Sequence, residues 1–299
     1  MTAPLLLAML GALAVPSAAA AGQSAPVKDG ATAPAAANVL RVCANPDNLP
    51  FSNRKGEGFE NRIAQLIGAE LGLPVTYTWH YQRRGFLRRT LNAEQCDLVM
   101  GAPVGMRRLD TTTPYYRSTY VFVTRADRKL GIRSFDDAAL RQAKIGLHAV
   151  GDDGDSPPPV YSLARRGMAG NIVGYKLWDV DTVVNPQGRV IEAVAKREID
   201  VAIVWGPFAG YFAKQQPVPL TITPVPPDIP ELPFDYAMAL GVRTGDEALK
   251  ARLEVILDRR RTDIRRILTS YGVPLLDQPA IVTKAATVEL PPHGQPKKE

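Results

Sequence analysis

The segment from Leu40 to Arg62, LRVCANPDNLPFSNRKGEGFENR, restricts the fold more than any other part of this chain. Leu40 to Ala44 are β-forming and run into a Pro/Asn/Asp turn. The aromatic Phe51 and a link carrying Gly56 and Gly58 follow, after which Phe59, Ile63, Leu66, Ile67 and Leu71 recur on one helical face. Strand, loop and helix in this order make the opening βα unit of an open α/β sheet. Loops beyond the carboxyl ends of such strands face the binding crevice. Asn45 to Ser52 are therefore expected to line it, with Asn45, Asp47 and Phe51 as candidate contacts.

The pattern then repeats along the chain. Pro74 to Trp79 reads as a strand, Gln82 to Leu91 as a basic helix, Cys96 to Pro103 as a buried strand, and Thr111 to Arg125 as a long alternating strand. A second unit follows, with strands at Lys144 to His148, Asn171 to Gly174 and Ile199 to Val204, separated by a helix begun at prolines and a helix from Arg189 to Arg197. Pro217 to Pro233 is too rich in proline for regular structure and reads as a return link. Phe234 to Arg243 gives a last strand and Asp246 to Leu268 a last helix. The chain crosses between the two units near Thr124 to Asp127 and again in the proline region. The predicted fold is α/β with two lobes and two hinge crossings: residues 39–125 and 228–277 form a discontinuous lobe 1, and 126–227 form lobe 2. Closure about a ligand is the motion such a hinge allows. A hydrophobic content of 45% is enough to fill two cores.

The ends differ in kind from this body. Residues 1–21 are almost wholly apolar or small and read as a cleaved signal peptide, too short to span a membrane. Residues 22–38 read as a flexible leader and 278–299 as a polar tail. A net charge of +6 favours acidic partners without naming one. In an oxidising compartment Cys43 and Cys96 are expected to pair across neighbouring strands. The alternative is two buried thiols, if the register holds their Cα atoms more than about 7 Å apart.

Catalytic patterns are missing. The chain has no G-x-S-x-G, H-E-x-x-H, C-x-x-C, Walker loop or G-x-G-x-x-G, and only three histidines. Glu57, Glu60 and Asp152 are carboxylates near the crevice, but nothing in the sequence pairs them for acid–base work, so no enzyme is expected. No nucleic acid is expected as a partner, because export removes the usual substrate and the basic residues form no aromatic-interleaved stripe.

Five long strings, VCANPDNLPFSNRKGEGFENRIA, TYTWHYQRRGF, CDLVMGAP, TTTPYYRSTYVFVTR and IDVAIVWGPFAGYFA, spread over both lobes. They resemble the quinoprotein-dehydrogenase-associated, MxaJ/XoxJ-like subfamily of periplasmic solute-binding proteins, over roughly Val39 to Asp277. The resemblance implies a type II periplasmic binding protein fold and a non-catalytic periplasmic accessory. Its partner would be a PQQ-dependent methanol dehydrogenase of the lanthanide type, with a cytochrome c as a second partner. No cofactor is expected in this chain; PQQ and the lanthanide or calcium ion would belong to the partner. The alternative is a solute-binding protein that delivers a small organic molecule or amino acid to an ABC transporter.

Amino-acid carriers of this fold clamp a ligand carboxylate with an arginine after the third strand. Here Arg107 and Arg108 stand closer to Pro114-Tyr115 than in the carriers, and Arg107 is the candidate taken forward. Gly151 to Ser156 concentrates acids, Asp152 among them, which would repel a carboxylate. They suit a hard cation in type but lack the twelve-residue loop pattern, so no metal site is expected. Further cleft candidates are Tyr115, His148 and Trp205, all at strand ends, with Tyr116 read as core. Arg83 and Arg84 in the basic helix, and Arg259 and Arg260 near the C-terminus, are either solvated faces or docking contacts for an acidic partner.

Overall fold

The structure is a computed structural model and describes residues 39–149, 156–177 and 185–276. The expected signal peptide, leader and tail, and the acidic turn with Asp152, lie outside the described residues. The chain begins as expected: β1 (Leu40–Ala44) leads into a small hairpin of β2 (Asp47–Asn48) and β3 (Ser52–Asn53), then α1 (Phe59–Leu71). Next come β4 (Val75–Trp79), the one-turn helix α2 (Phe86–Arg89), β5 (Leu98–Pro103), β6 (Asp110–Thr111) and β7 (Tyr116–Arg125). The second half runs α3 (Ala138–Arg141), β8 (Ile145–Ala149), α4 (Pro158–Arg165), β9 (Ile172–Lys176), α5 (Arg189–Ala195), β10 (Val201–Trp205) and α6 (Gly206–Ala213). It closes with β11 (Leu220–Pro224), β12 (Asp235–Val242), α7 (Glu247–Arg259) and α8 (Arg261–Ser270).

Among the described residues a ten-stranded sheet has the order β4-β1-β5-β12-β7-β10-β8-β9, with β6 on β12 and β11 on β7. Strand β7 belongs to both halves. Its first part, Tyr116 to Thr119, pairs with β12, and its second part, Tyr120 to Thr124, pairs with β10. The first passage between lobes thus falls inside one continuous strand rather than at Thr124 to Asp127. Strands β4, β1, β5 and β12 with α1, α7 and α8 make lobe 1; β10, β8 and β9 with α4, α5, α6 and the turn Pro186–Gly188 make lobe 2.

Three expectations change. The helix expected at Gln82 to Leu91 contracts to α2, because Gly85 sits at φ +82°, outside the helical region, and the four arginines repel one another. The link expected to be irregular contains β11. Its Leu220 and Ile222 are half buried, and pairing with β7 supplies main-chain partners that the surrounding prolines cannot. The last helix is two helices, α7 and α8, broken at Arg260 where ψ reaches 12°.

One apolar cluster crosses from lobe to lobe. In lobe 1, Phe59, Ile63 and Ile67 of α1 are fully buried against Leu40, Val42, Leu98 and Met100; in lobe 2 the same cluster continues through Val190, Val194 and Phe208. A second cluster, with Phe122, Phe135, Ile145, Leu147 and Leu163, fills the far side of lobe 2. Each large apolar side chain so buried contributes on the order of 2 kcal/mol.

Candidate binding cleft

The loop after β1 is built by its own polar groups. Asn45 is wholly buried; its Oδ1 accepts from the Asp47 amide at 3.0 Å, and its carbonyl accepts from Ser52 Oγ at 2.9 Å. Asn61 in the first turn of α1 accepts through Oδ1 from the amides of Asn53 and Gly58, both at 3.1 Å, which fastens the hairpin to the helix start. The amides of Phe59 and Glu60 donate to the carbonyls of Pro50 and Phe51, so the helix's free donors hold the Phe51 backbone in place. Gly58 is required there: a Cβ on it would lie 1.9 Å from the Phe51 carbonyl oxygen.

Held this way, Phe51 projects onto lobe 2. Its ring packs at 5.1 Å from Phe208 of α6 and 5.0 Å from Phe59. Phe208 in turn meets the His148 ring at 5.0 Å. His148 Nε2 donates to the Gln187 carbonyl at 2.9 Å, and Gln187 Nε2 donates to the Asp47 carbonyl at 2.9 Å, completing a link from one lobe to the other. Burial drives His148 down to about 4, so its imidazole is neutral, and burial also raises the Asp47 carboxyl above its usual value. Two cavities, of about 380 and 310 Å³, lie elsewhere, beside α5 and beside the β7–β11 pair. Here the seam between lobes is occupied by the protein's own aromatic rings.

Unpaired polar atoms remain on both sides of this seam: Asn45 Nδ2 and Asn48 Oδ1 from lobe 1 and Gln187 Oε1 from lobe 2. Deeper in lobe 1 the hydroxyl of Tyr116 is also buried without a protein partner, next to Tyr115. Beside them lies Glu60, 6% exposed, with no ion-pair partner among the described residues; burial pushes its carboxyl up to about 8. Gly101 makes room for it, since a Cβ there would stand 2.3 Å from Glu60 Oε1.

The structure gathers Asn45, Asp47, Phe51 and His148 at the seam and separates the other candidates from it. Tyr115 packs on Tyr116 at 5.0 Å within lobe 1. Trp205 lies between Tyr120 and Tyr236, at 5.5 and 5.7 Å, and its place against Phe51 is taken by Phe208, three residues later. Arg107 is exposed on the β5–β6 turn and has no partner among the described residues. Gln187 and Phe208 carried no signal of their own in the sequence: one follows a proline in a short turn, the other sits in an apolar helix.

Cys43 and Cys96 form the expected disulfide, with Cα atoms 5.5 Å apart, joining β1 to the start of β5. The four arginines expected at docking surfaces fall into two groups. Arg83 is exposed over the Tyr81 ring, and Arg84 is exposed with its carbonyl accepting from Arg89. Arg259 and Arg260 do not form a free basic face. Both bind Glu70 of α1, at 3.0 and 2.6 Å, and Arg260 also binds Asp263, so their charge serves to hold the C-terminal helices on lobe 1.

A two-lobed α/β body with a strand shared between the lobes, a loop-lined seam and helices packed on the sheet defines a periplasmic-binding-protein fold of type II. The chain belongs to the bacterial extracellular solute-binding proteins, family 3, which it matches over residues 40–273. Within that family it is 33% identical to Protein MoxJ of Methylorubrum extorquens, over 80% of this chain and 82% of the relative. It is 31% identical to Protein MoxJ of Paracoccus denitrificans, over 79% and 89%. Among solved structures it is similar to the periplasmic binding protein XoxJ from Methylobacterium extorquens AM1, at 38% identity and TM-score 0.67 over 80% of this chain and 100% of the other. It is also similar to MxaJ from Methlophaga aminisulfidivorans MPT, at 26% identity and TM-score 0.71 over the same shares. An ancestral cationic amino acid solute-binding protein, 19% identical with TM-score 0.62, shares the fold. No helix among the described residues is long and apolar enough to cross a membrane.

Proposed function

We propose that this protein is a non-catalytic periplasmic accessory that docks on a PQQ-dependent methanol dehydrogenase of the lanthanide type and assists its maturation or activation. The observation that carries the reading is the seam: Phe51 on Phe208, and Gln187 on Asp47, occupy the space in which a carrier of this family would hold its solute. Similarity to the MoxJ, XoxJ and MxaJ proteins over most of the chain supports the choice of partner. PQQ and its lanthanide or calcium ion belong to the dehydrogenase, and a cytochrome c is a second partner of the assembly. Export would use residues 1–21.

The test is pull-down together with dye-linked alcohol dehydrogenase activity, with and without the purified protein. Co-purification with raised activity is the expected result, and the absence of both would sink the reading.

A second reading is delivery of a small organic molecule to an ABC transporter. The unpaired Asn45 Nδ2, Asn48 Oδ1 and Gln187 Oε1 favour it, because opening the seam would present donors and acceptors on both lobes to a polar solute. A thermal-shift screen separates the two, since a carrier gains stability from its small ligand by mass action.

A further inference from the structure

From Leu71 to Ala93 the chain contains no acidic residue, yet it carries Arg83, Arg84, Arg88 and Arg89 together with Tyr77, Trp79, His80 and Tyr81. These groups lie along β4 and the segment that follows it, at the edge of the sheet in lobe 1. Tyr77 and Trp79 stack at 4.7 Å; Arg54 lies over the Trp79 ring at 5.8 Å, and Arg83 over Tyr81 at 5.6 Å. Arg89 is held by His80 Nε2 at 3.1 Å, and Arg88 is exposed beside it. Arg54, Arg83, Arg88 and Arg89 have no ion pair among the described residues. Arg259, Arg260, Arg261 and Arg266 are all bound to carboxylates of this chain. Cations that a fold leaves unneutralised are free to meet an external anion, and for Arg54 and Arg83 the half-buried rings beneath them fix the guanidinium planes.

A main-chain feature narrows the anion. Strand β4 is the last strand of the sheet on this side and pairs with β1 alone among the described residues. Its outer edge offers N–H and C=O groups to an added strand, and only a polypeptide uses both the edge and the charges. We propose that the β4 edge, with Arg54, Arg83, Arg88 and Arg89 around Trp79 and Tyr81, is the docking face for an extended acidic segment of a partner protein. Where that partner is the dehydrogenase, the assignment rests on the function proposed above.

The probe is a fluorescein-labelled peptide of alternating glutamate and valine, titrated with the full chain and followed by anisotropy. Binding is expected at low ionic strength and weakens as salt rises to about 0.2 M. R83E/R88E lowers affinity by roughly tenfold or more, R83Q/R88Q by less, and R261E/R266E by under about twofold. Equal losses from both charge-reversed pairs would overturn the assignment. So would tighter binding of phosphatidylglycerol vesicles or single-stranded DNA than of the peptide. Failure of the peptide to bind, with aggregation of R83Q/R88Q, would leave the arginines as guards of an open edge and overturn it too. A protein that captures the peptide through these arginines but not the dehydrogenase keeps this face and loses the proposed partner.

Discussion

The two lobes share one sheet but are secured by different chemistry. Lobe 1 carries a covalent cross-link, Cys43–Cys96, reinforced where Arg41 clasps Asp97 next to it. It also buries a carboxyl without an ion-pair partner, Glu60, beside the hydroxyls of Tyr115 and Tyr116. Lobe 2 has no cysteine among its described residues and is tied at its rim by ion pairs: Arg166 bridges Asp136 and Asp228, and Arg128 meets Asp200. The contrast teaches that the lobe with the cross-link is the one that keeps a destabilising buried group. Lobe 1 should therefore answer to redox state and to rising pH, in addition to the acid response that its own ion pairs, Arg259 and Arg260 with Glu70 among them, share with those of lobe 2.

The largest break in this comparison is reduction. Replacing Cys43 and Cys96 by serine opens a link spanning 53 residues of sequence separation and should cost about 4 kcal/mol by the loop-entropy account. Urea unfolding would read the loss, and hydrogen exchange should place it in β1, β4 and β5 while β8 and β10 keep their protection. Loss spread evenly over both lobes would show that they do not fail separately.

Glu60 sharpens the comparison from the opposite side. Burial raises its folded-state value from 4.5 to about 8, so the folded chain holds a proton that the unfolded chain has released. Stability from this group is complete below pH 4.5 and is lost as the pH rises toward 8. E60Q removes that titration, and at pH 7 it should raise stability by on the order of 2 to 3 kcal/mol. It should also flatten the pH profile between those limits. Denaturant midpoints measured at pH 5 and pH 8 check this; a variant as pH-sensitive as the parent would remove Glu60 from the account.

The smallest effect belongs to lobe 2. Hydrogen bonds from Arg166 hold both Asp136 and Asp228 below the usual carboxylate range. Their contribution is present above the ordinary aspartate value and disappears as the pH falls through the lowered one. R166M should cost up to about 1 kcal/mol at neutral pH and nothing in strong acid. Thermal melts in a pH series running from 7 downward would decide, and a cost that stays the same throughout would mean that packing on Phe135, over which Arg166 lies, carries the effect.

Local pattern made much of this molecule legible. The period-two and helical runs placed β1, α1, β5, β8, α5, β10 and β12 within a few residues, because each buries a face whose spacing is written in the chain. Residue type and compartment suggested the Cys43–Cys96 pairing. The strands near the ends of the core were harder: β11 was hidden by its prolines, since it exists through pairing with β7 rather than through its own propensity.

The candidate site divided along the same line. Asn45, Asp47, Phe51 and His148 were readable because strand-end loops of an α/β sheet must face the crevice. Gln187 and Phe208 were not, because their roles depend on partners far away in sequence; Gln187 reaches Asp47 across 140 residues. The arginines make the point most plainly. Arg83 and Arg88 stand in one basic run, Arg259 and Arg260 in another, and composition treats them alike. By itself the sequence determined the α/β order, the apolar faces and the positions of charge. Which charges are spent within the fold was decided by tertiary structure, because neutralisation depends on distance: Glu70 of α1 lies within 3.0 Å of the second run, and no carboxylate of the described residues pairs with Arg83 or Arg88.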